Sequence, residues 1–165
     1  MASAQFGDGL VQLLPQLRRF ARGLTRDWAD ADDLCQATIE RALKSADQWQ
    51  AGTRLDAWVY RIMRNMWIDE ARARTRRGRT FAPEEDGVNV GDAGDARIET
   101  AVEMSNVERA MARLPDEQCE AVMLVLVEGF AYKEAVEIIG CPMGTLTSRL
   151  GRGREALLRE LGETQ

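Results

Sequence analysis

A chain of 165 residues with 45% hydrophobic and 30% charged side chains has room for one ordinary domain or two small helical ones, and its composition is that of a folded, soluble protein. It contains no histidine, which removes the usual general base, the imidazole metal ligand and both the Ser/His and Cys/His nucleophile pairs. The formal charge is -5, so the molecule as a whole repels a polyanion and any affinity for one must come from local patches.

The periodicity predicts helices almost throughout. Phe6, Leu10, Leu13, Leu17, Phe20 and Leu24 recur at spacings of four and three, which places them on one face of a first helix. RDWADADDL follows as a turn and an acid-rich helix start, with Asp30 as the expected N-cap and Asp32 and Asp33 at the positive end of the dipole. Cys35, Ile39, Leu43 and Ala46 form the expected stripe of this second helix, closed by Trp49. Gly52 and Thr53 break the pattern. Leu55, Trp58, Val59, Ile62 and Met66 then share a side of a long third helix, and Trp58 is expected in the core.

Charge changes sign along the chain. Arg54 to Arg79 holds eight arginines against Asp56, Asp69 and Glu70, whereas Glu84 to Glu103 holds seven acids against Arg97. Arg76 to Ala96 has no helical period and contains Gly78, Pro83, Gly87, Gly91 and Gly94, so residues 77–100 are expected to be a flexible acidic linker between domains at 1–76 and 101–165. LPDEQ, with Pro115 expected in the first turn, starts a helix in which Val122, Met123, Leu126 and Val127 can face a core until Gly129. AYKEAVEIIG is a short helix closed by Gly140, and Cys141 and Pro142 open the last one. Helix, glycine-containing turn and helix in this order is the helix-turn-helix layout.

At 100° per residue, Leu146, Leu150, Leu157 and Leu161 cluster on one side of the last helix, and Thr145, Ser148, Arg149 and Arg152 on another. The first set can dock on a core. The second offers hydroxyls and guanidiniums to a groove and its phosphates. A solvated amphipathic helix with solubilising arginines is the plainer reading of that face, and the turn before it favours DNA.

These residues resemble a family. LPDEQCEAVMLVLVEGFAYKEAVEIIGCPMGTLTSRLGRGREALL is similar to region 4 of the extracytoplasmic-function sigma factors, the small specificity subunits of bacterial RNA polymerase. ADADDLCQATIERALKSADQW followed by LDAWVYRIMRNMWIDEARAR is similar to their region 2. The resemblance covers most of the chain and implies an all-α fold of two small helical domains. It implies that Asp33, Leu34, Gln36 and Glu40 bind the clamp helices of core polymerase. It also implies that the loop before Leu55 and the helix bearing Arg61, Arg64 and Asn65 capture unpaired minus-10 bases, while the final helix, with Thr145, Thr147, Ser148, Arg149 and Arg152, enters the major groove of the minus-35 element. Arginine neutralises phosphate, and asparagine can read a base edge that duplex hides.

Departures from the family pattern fall at Ala37, where glutamate is usual, at Cys119, where arginine is common, and at Thr147, where a basic residue is frequent; Gly151 leaves no side chain at a possible base-reading position. The resemblance further implies core RNA polymerase, promoter DNA and an anti-sigma factor as partners. No cofactor, metal or catalytic residue is expected: no paired ligand spacing exists, and the carboxylate pairs Asp32/Asp33 and Glu84/Glu85 sit at a helix start and in a polar stretch. The odd count of three cysteines argues against a disulfide framework, and sensing at Cys141 is the lesser reading beside a capping or buried thiol. With no secretion signal and no spanning run, a cytoplasmic location is expected. A sigma-like decoy for an anti-sigma factor and a helix-turn-helix regulator remain as alternatives; the first has no use for these arginines, and the second would need a dimerisation element.

Overall fold

A computed structural model describes residues 2–80 and 106–163, and every regular element within them is helical. The helices are α1 (Ala2–Thr25), α2 (Trp28–Lys44), α3 (Leu55–Thr80), α4 (Asn106–Ala112), α5 (Asp116–Val122), α6 (Tyr132–Ile139) and α7 (Met143–Glu163), with a 3-10 turn at Ala46–Gln48.

The first three helices form one bundle. Phe6, Leu10, Leu17, Phe20 and Leu24 of α1 are buried as the spacing predicts. The stripe of α2 is displaced from the expected one: Ala31, Cys35, Thr38 and Ala42 are buried, while Leu43 is 54% exposed. Thr38 can be buried because its hydroxyl donates to the Leu34 carbonyl at 2.8 Å. Asp27, not Asp30, caps α2; its carboxylate accepts the Ala29 N–H at 3.2 Å. On α3 the buried positions are Val59, Tyr60 and Met63, with Leu55, Trp58 and Ile62 half-buried against the core and Met66 half-buried further along. Trp58 does join the core, edge-on to the Phe6 ring with centroids 5.9 Å apart.

Helix α3 runs on to Thr80, so the first four residues of the expected linker are helical. The remaining linker expectation, residues 81–100, lies outside the described residues.

In the second half, Pro115 occupies the N-cap of α5 rather than its first turn. After Val122 the chain widens into one π-helical stretch, Met123–Val127. This corrects the expected stripe: Met123 and Leu124 are buried, whereas Leu126 and Val127 are 50% and 42% exposed. The Glu128 and Phe130 amides donate to the Met123 and Leu124 carbonyls, closing the stretch before Gly129 turns the chain at φ 79°. Gly140, at φ 76°, ends α6 as expected and its N–H donates to the Val136 carbonyl. Pro142 caps α7, accepting the Leu146 N–H at 3.1 Å. Leu146 and Leu150 are buried on α5, and Gly153 lets the helices close further: a Cβ there would lie 2.7 Å from Val122 Cγ2.

The two halves pack on each other, α1 against α5 and α3 against α6. Phe20 of α1 stacks on Tyr60 of α3, with centroids 4.9 Å apart, and Phe130 after the π-helical stretch meets the Tyr60 ring edge-on at 5.0 Å. One hydrophobic core therefore runs through both.

Candidate nucleic-acid and polymerase interface

Helix α7 is presented as a helix-turn-helix requires. Its apolar side, Leu146 and Leu150, is fixed to the core, which turns Thr147, Ser148, Gly151 and Arg152 outward to solvent. Thr147 also donates to the Gly144 carbonyl at 3.1 Å. Thr145 and Arg149 lie lower on the flank and are half-buried. The Arg149 side chain, 25% exposed, sits 3.6 Å from the Glu117 carboxylate. The expected DNA-facing set therefore divides into an outer group of Thr147, Ser148 and Arg152 and an inner group of Thr145 and Arg149. Only the outer group is open to solvent.

Arg61 and Asn65 are exposed on α3, one helical turn apart on the same side. Arg64 is turned inward. Its side chain is 16% exposed, and its Nε donates to both Glu120 oxygens at 3.1 and 3.2 Å. Glu120 is itself buried; burial pushes its carboxyl above the usual carboxylate range, and the Arg64 guanidinium opposes that rise. Around this pair lies a cleft of about 680 Å³ lined by Arg64, Trp67, Arg72, Glu117, Glu120 and Arg149. Cations from both halves of the chain converge there. Glu120 and Arg72 were not among the residues singled out by the sequence, because Glu120 reads as a surface acid of α5 until its partner on α3 is seen.

Asp33, Gln36 and Glu40 are exposed on α2, and Leu34 is half-buried beside them. Gln36 donates weakly to Glu40 at 3.5 Å across one turn. Asp33 and Leu34 border a second groove, of about 590 Å³, with Trp67, Glu70, Arg74 and Asp116. Asp33, Gln36 and Glu40 thus share one accessible face, and the groove beside it adjoins the cleft around Arg64 and Glu120. Trp67 borders both grooves.

Cys35 and Cys119 are buried, and burial pushes both thiols up. The Cys119 Sγ donates to the Gly23 carbonyl at 3.4 Å. No cluster of three potential metal ligands occurs among the described residues, and no described helix is long and apolar enough to cross a membrane.

Comparison with known proteins agrees with this geometry. Residues 10–77 match Sigma-70 region 2 and residues 104–157 match Sigma-70, region 4. The chain is 36% identical over 151 residues to the ECF RNA polymerase sigma factor EcfG of Rhodopseudomonas palustris, covering 91% of this chain and 81% of that one. It is also 36% identical over 147 residues to SigM of Mycobacterium tuberculosis, covering 89% and 72%. Among solved structures it resembles the sigma factor RpoE of Bartonella quintana, in complex with the anti-sigma factor NepR, with a TM-score of 0.74, 27% identity and coverage of 96% and 97%. CnrH in complex with the cytosolic domain of CnrY shares the fold, with a TM-score of 0.70 at 23% identity and coverage of 99% and 97%. With both regions present in order and relatives matched over most of their length, the chain belongs to the ECF RNA polymerase sigma factors, non-enzymatic factors of transcription initiation.

Proposed function

We propose that this chain binds core RNA polymerase through Asp33, Leu34, Gln36 and Glu40 on α2, and directs it to promoters read by α3 and α7. The observation that carries the reading is the pairing, in one chain, of a basic α3 bearing Arg61, Arg64 and Asn65 with a helix-turn-helix whose outer face holds Thr147, Ser148 and Arg152. Arg152 and Arg149 contact the minus-35 duplex and its phosphates, with Thr145, Thr147 and Ser148 lining the groove. Arg61, Arg64 and Asn65 hold the minus-10 strand once it is unpaired. Neither surface has the charge or area to bind tightly alone in a molecule of net charge -5. Polymerase supplies the remaining affinity by joining both contacts in one complex.

The complex of RpoE with NepR supports an anti-sigma factor as a further partner of this chain. A cytoplasmic location follows from a polymerase partner. Domain limits near 1–76 and 101–165 remain the natural division, with helical structure carried on to Thr80.

Run-off transcription on genomic fragments, with purified core polymerase, tests the reading. Specific transcripts that appear only with the added chain are expected. Their absence, with the same polymerase active on a control sigma factor, contradicts it.

A further inference from the structure

Helix α5 brings two carboxylates beside the recognition helix. Glu117 and Glu120 lie one turn apart and so share a face of α5, and both line the cleft that Arg149 of α7 also lines. The Arg149 Nε sits 3.6 Å from the Glu117 carboxylate. Glu120 lies deeper, with its side chain 2% exposed, and the rise of its carboxyl is opposed first by the Arg64 guanidinium and then by that of Arg149. The approach of Glu117 to Arg149 is set by backbone packing. One turn beyond Arg149, Gly153 comes so close to α5 that a Cβ there would lie 3.4 Å from the Gln118 carbonyl. Gln118 is the residue next to Glu117. Helices α5 and α7 therefore close on each other beside the point where carboxylate and guanidinium meet.

Glu117 has two plainer roles. As a first-turn acid it complements the dipole of α5, and as a partner 72% exposed it adds little stability through its ion pair. Neither role concerns direction. A guanidinium is a rigid plane of five N–H donors. Held along its Nε edge, it keeps both Nη groups together for a bidentate contact. Arg149, 25% exposed, is held along that edge. Arg152 is exposed on the outer face of α7, where its long side chain can settle on whichever phosphate is near. The recognition helix thus carries one aimed cation and one adaptable one.

We propose that Glu117 is a positioning residue for promoter recognition: its carboxylate aims the Arg149 guanidinium, so that the minus-35 contact discriminates between sequences instead of only attracting phosphate. The consequence at the promoter deepens the function proposed above and rests on it; the aiming does not, and is measured without DNA. Electrostatics alone demands the opposite sign. An acid beside a DNA-binding surface repels the backbone, so removing it tightens binding to any sequence.

The side-chain Nε–Hε resonances of the full-length chain report the aiming, with that of Arg149 identified by its loss in Arg149→Lys. Its Hε is expected to exchange with water about fivefold faster in Glu117→Gln than in the parent chain. Run-off transcription with core polymerase then compares a promoter carrying an intact minus-35 element with one in which that element is scrambled. The preference for the intact element is expected to fall about fivefold in Glu117→Gln, while initiation on the scrambled promoter stays level or rises. In an Arg149→Ala background the same substitution leaves the preference where it is. Loss of the first-turn acid lowers the thermal midpoint in both backgrounds, so stability does not mimic this pattern.

Unchanged Hε exchange overturns the aiming. Faster exchange with an unchanged preference, or an equal fall in preference with and without Arg149, overturns its part in promoter reading. A parent chain that initiates at neither promoter, with exchange still faster in Glu117→Gln, refutes the promoter reading and leaves the aiming of Arg149 standing.

Discussion

Gly151 and Gly153 lie two residues apart on α7 and do opposite things. Both lack the side chain that helix propensity favours by about 1 kcal/mol for alanine over glycine. A Cβ at Gly151 meets nothing within 4 Å, whereas one at Gly153 lies 2.7 Å from Val122 Cγ2 and 3.4 Å from the Gln118 carbonyl. Gly151→Ala is therefore expected to stabilise the chain by about 1 kcal/mol. Gly153→Ala is expected to destabilise it by about 1 kcal/mol, because overpacking against α5 outweighs propensity. Urea unfolding of both variants checks the pair of signs. The sequence showed two glycines in a helix and no difference between them; the difference is made by α5, which starts from residues far upstream. The same limit applies to Tyr60 and Glu120. Each reads as a surface residue of its own helix, and each is buried by a partner more than 50 residues away. Arg152, Thr147 and Ser148 needed no such partner, and helical geometry alone set them on the outer face of α7.

At the scale of the element, hydrophobic spacing located the helices well and their rotation less well. On α1 the apolar side chains recur without interruption, and the buried face follows them. On α2 the apolar residues are sparse, so small and polar positions decide: Ala31, Thr38 and Ala42 are buried because close approach of α1 suits short side chains, and Leu43 is left outside. The start of α2 follows the same pattern. Three acids crowd it, and local composition favoured Asp30, yet the extended backbone at Asp27, φ -141° and ψ 129°, makes that residue the cap. Asp30 lies within the first turn, where burial first and then the neighbouring Asp27 push its carboxyl above the usual range. Asp27→Ala is expected to cost about 1 kcal/mol in thermal unfolding, and Asp30→Asn to cost none, because neutralising Asp30 relieves a repulsion. The π-helical stretch had no sequence signal at all. Its five residues, MLVLV, are continuously apolar; Met123 and Leu124 go inward, and Glu128 just beyond them meets Arg19.

For the whole molecule, two helical modules were legible, and their union was not; the expected acidic linker over 81–100 lies outside the described residues. Both resemblances fell in the right order because each module carries its own caps, turns and stripe. The joining surface combines the Phe20, Tyr60 and Phe130 rings with charged pairs such as Arg19–Glu128, and pattern reading assigns those charges to solvent. The packing of the two halves on each other has a pH dependence with a definite sign. Burial first, then the hydrogen bond to Glu128, push the Tyr60 phenol well above its ordinary value of about 10. The closed form thus holds this proton more tightly than the open one. Its contribution is fully present below pH 10 or so and is lost as pH rises above it, because the open form then releases a proton that the closed form keeps. Cys119 of the full-length chain should react faster above that pH than thiol ionisation in an unfolded control accounts for, and Tyr60→Phe should remove the excess.

On the proposed function one chain, carried by polymerase, grips two separated stretches of a single promoter, the upstream one as duplex and the downstream one as an unpaired strand. DNase I and permanganate footprints of the holoenzyme on one run-off promoter measure both at once. The expected result is protection of two patches about 25 base pairs apart, roughly 85 Å along the duplex, with reactive thymines only in the downstream patch. Arg152→Ala should erase the upstream patch first. A single continuous patch without unpaired thymines, or a symmetric pair of half-sites bound in the absence of polymerase, contradicts it.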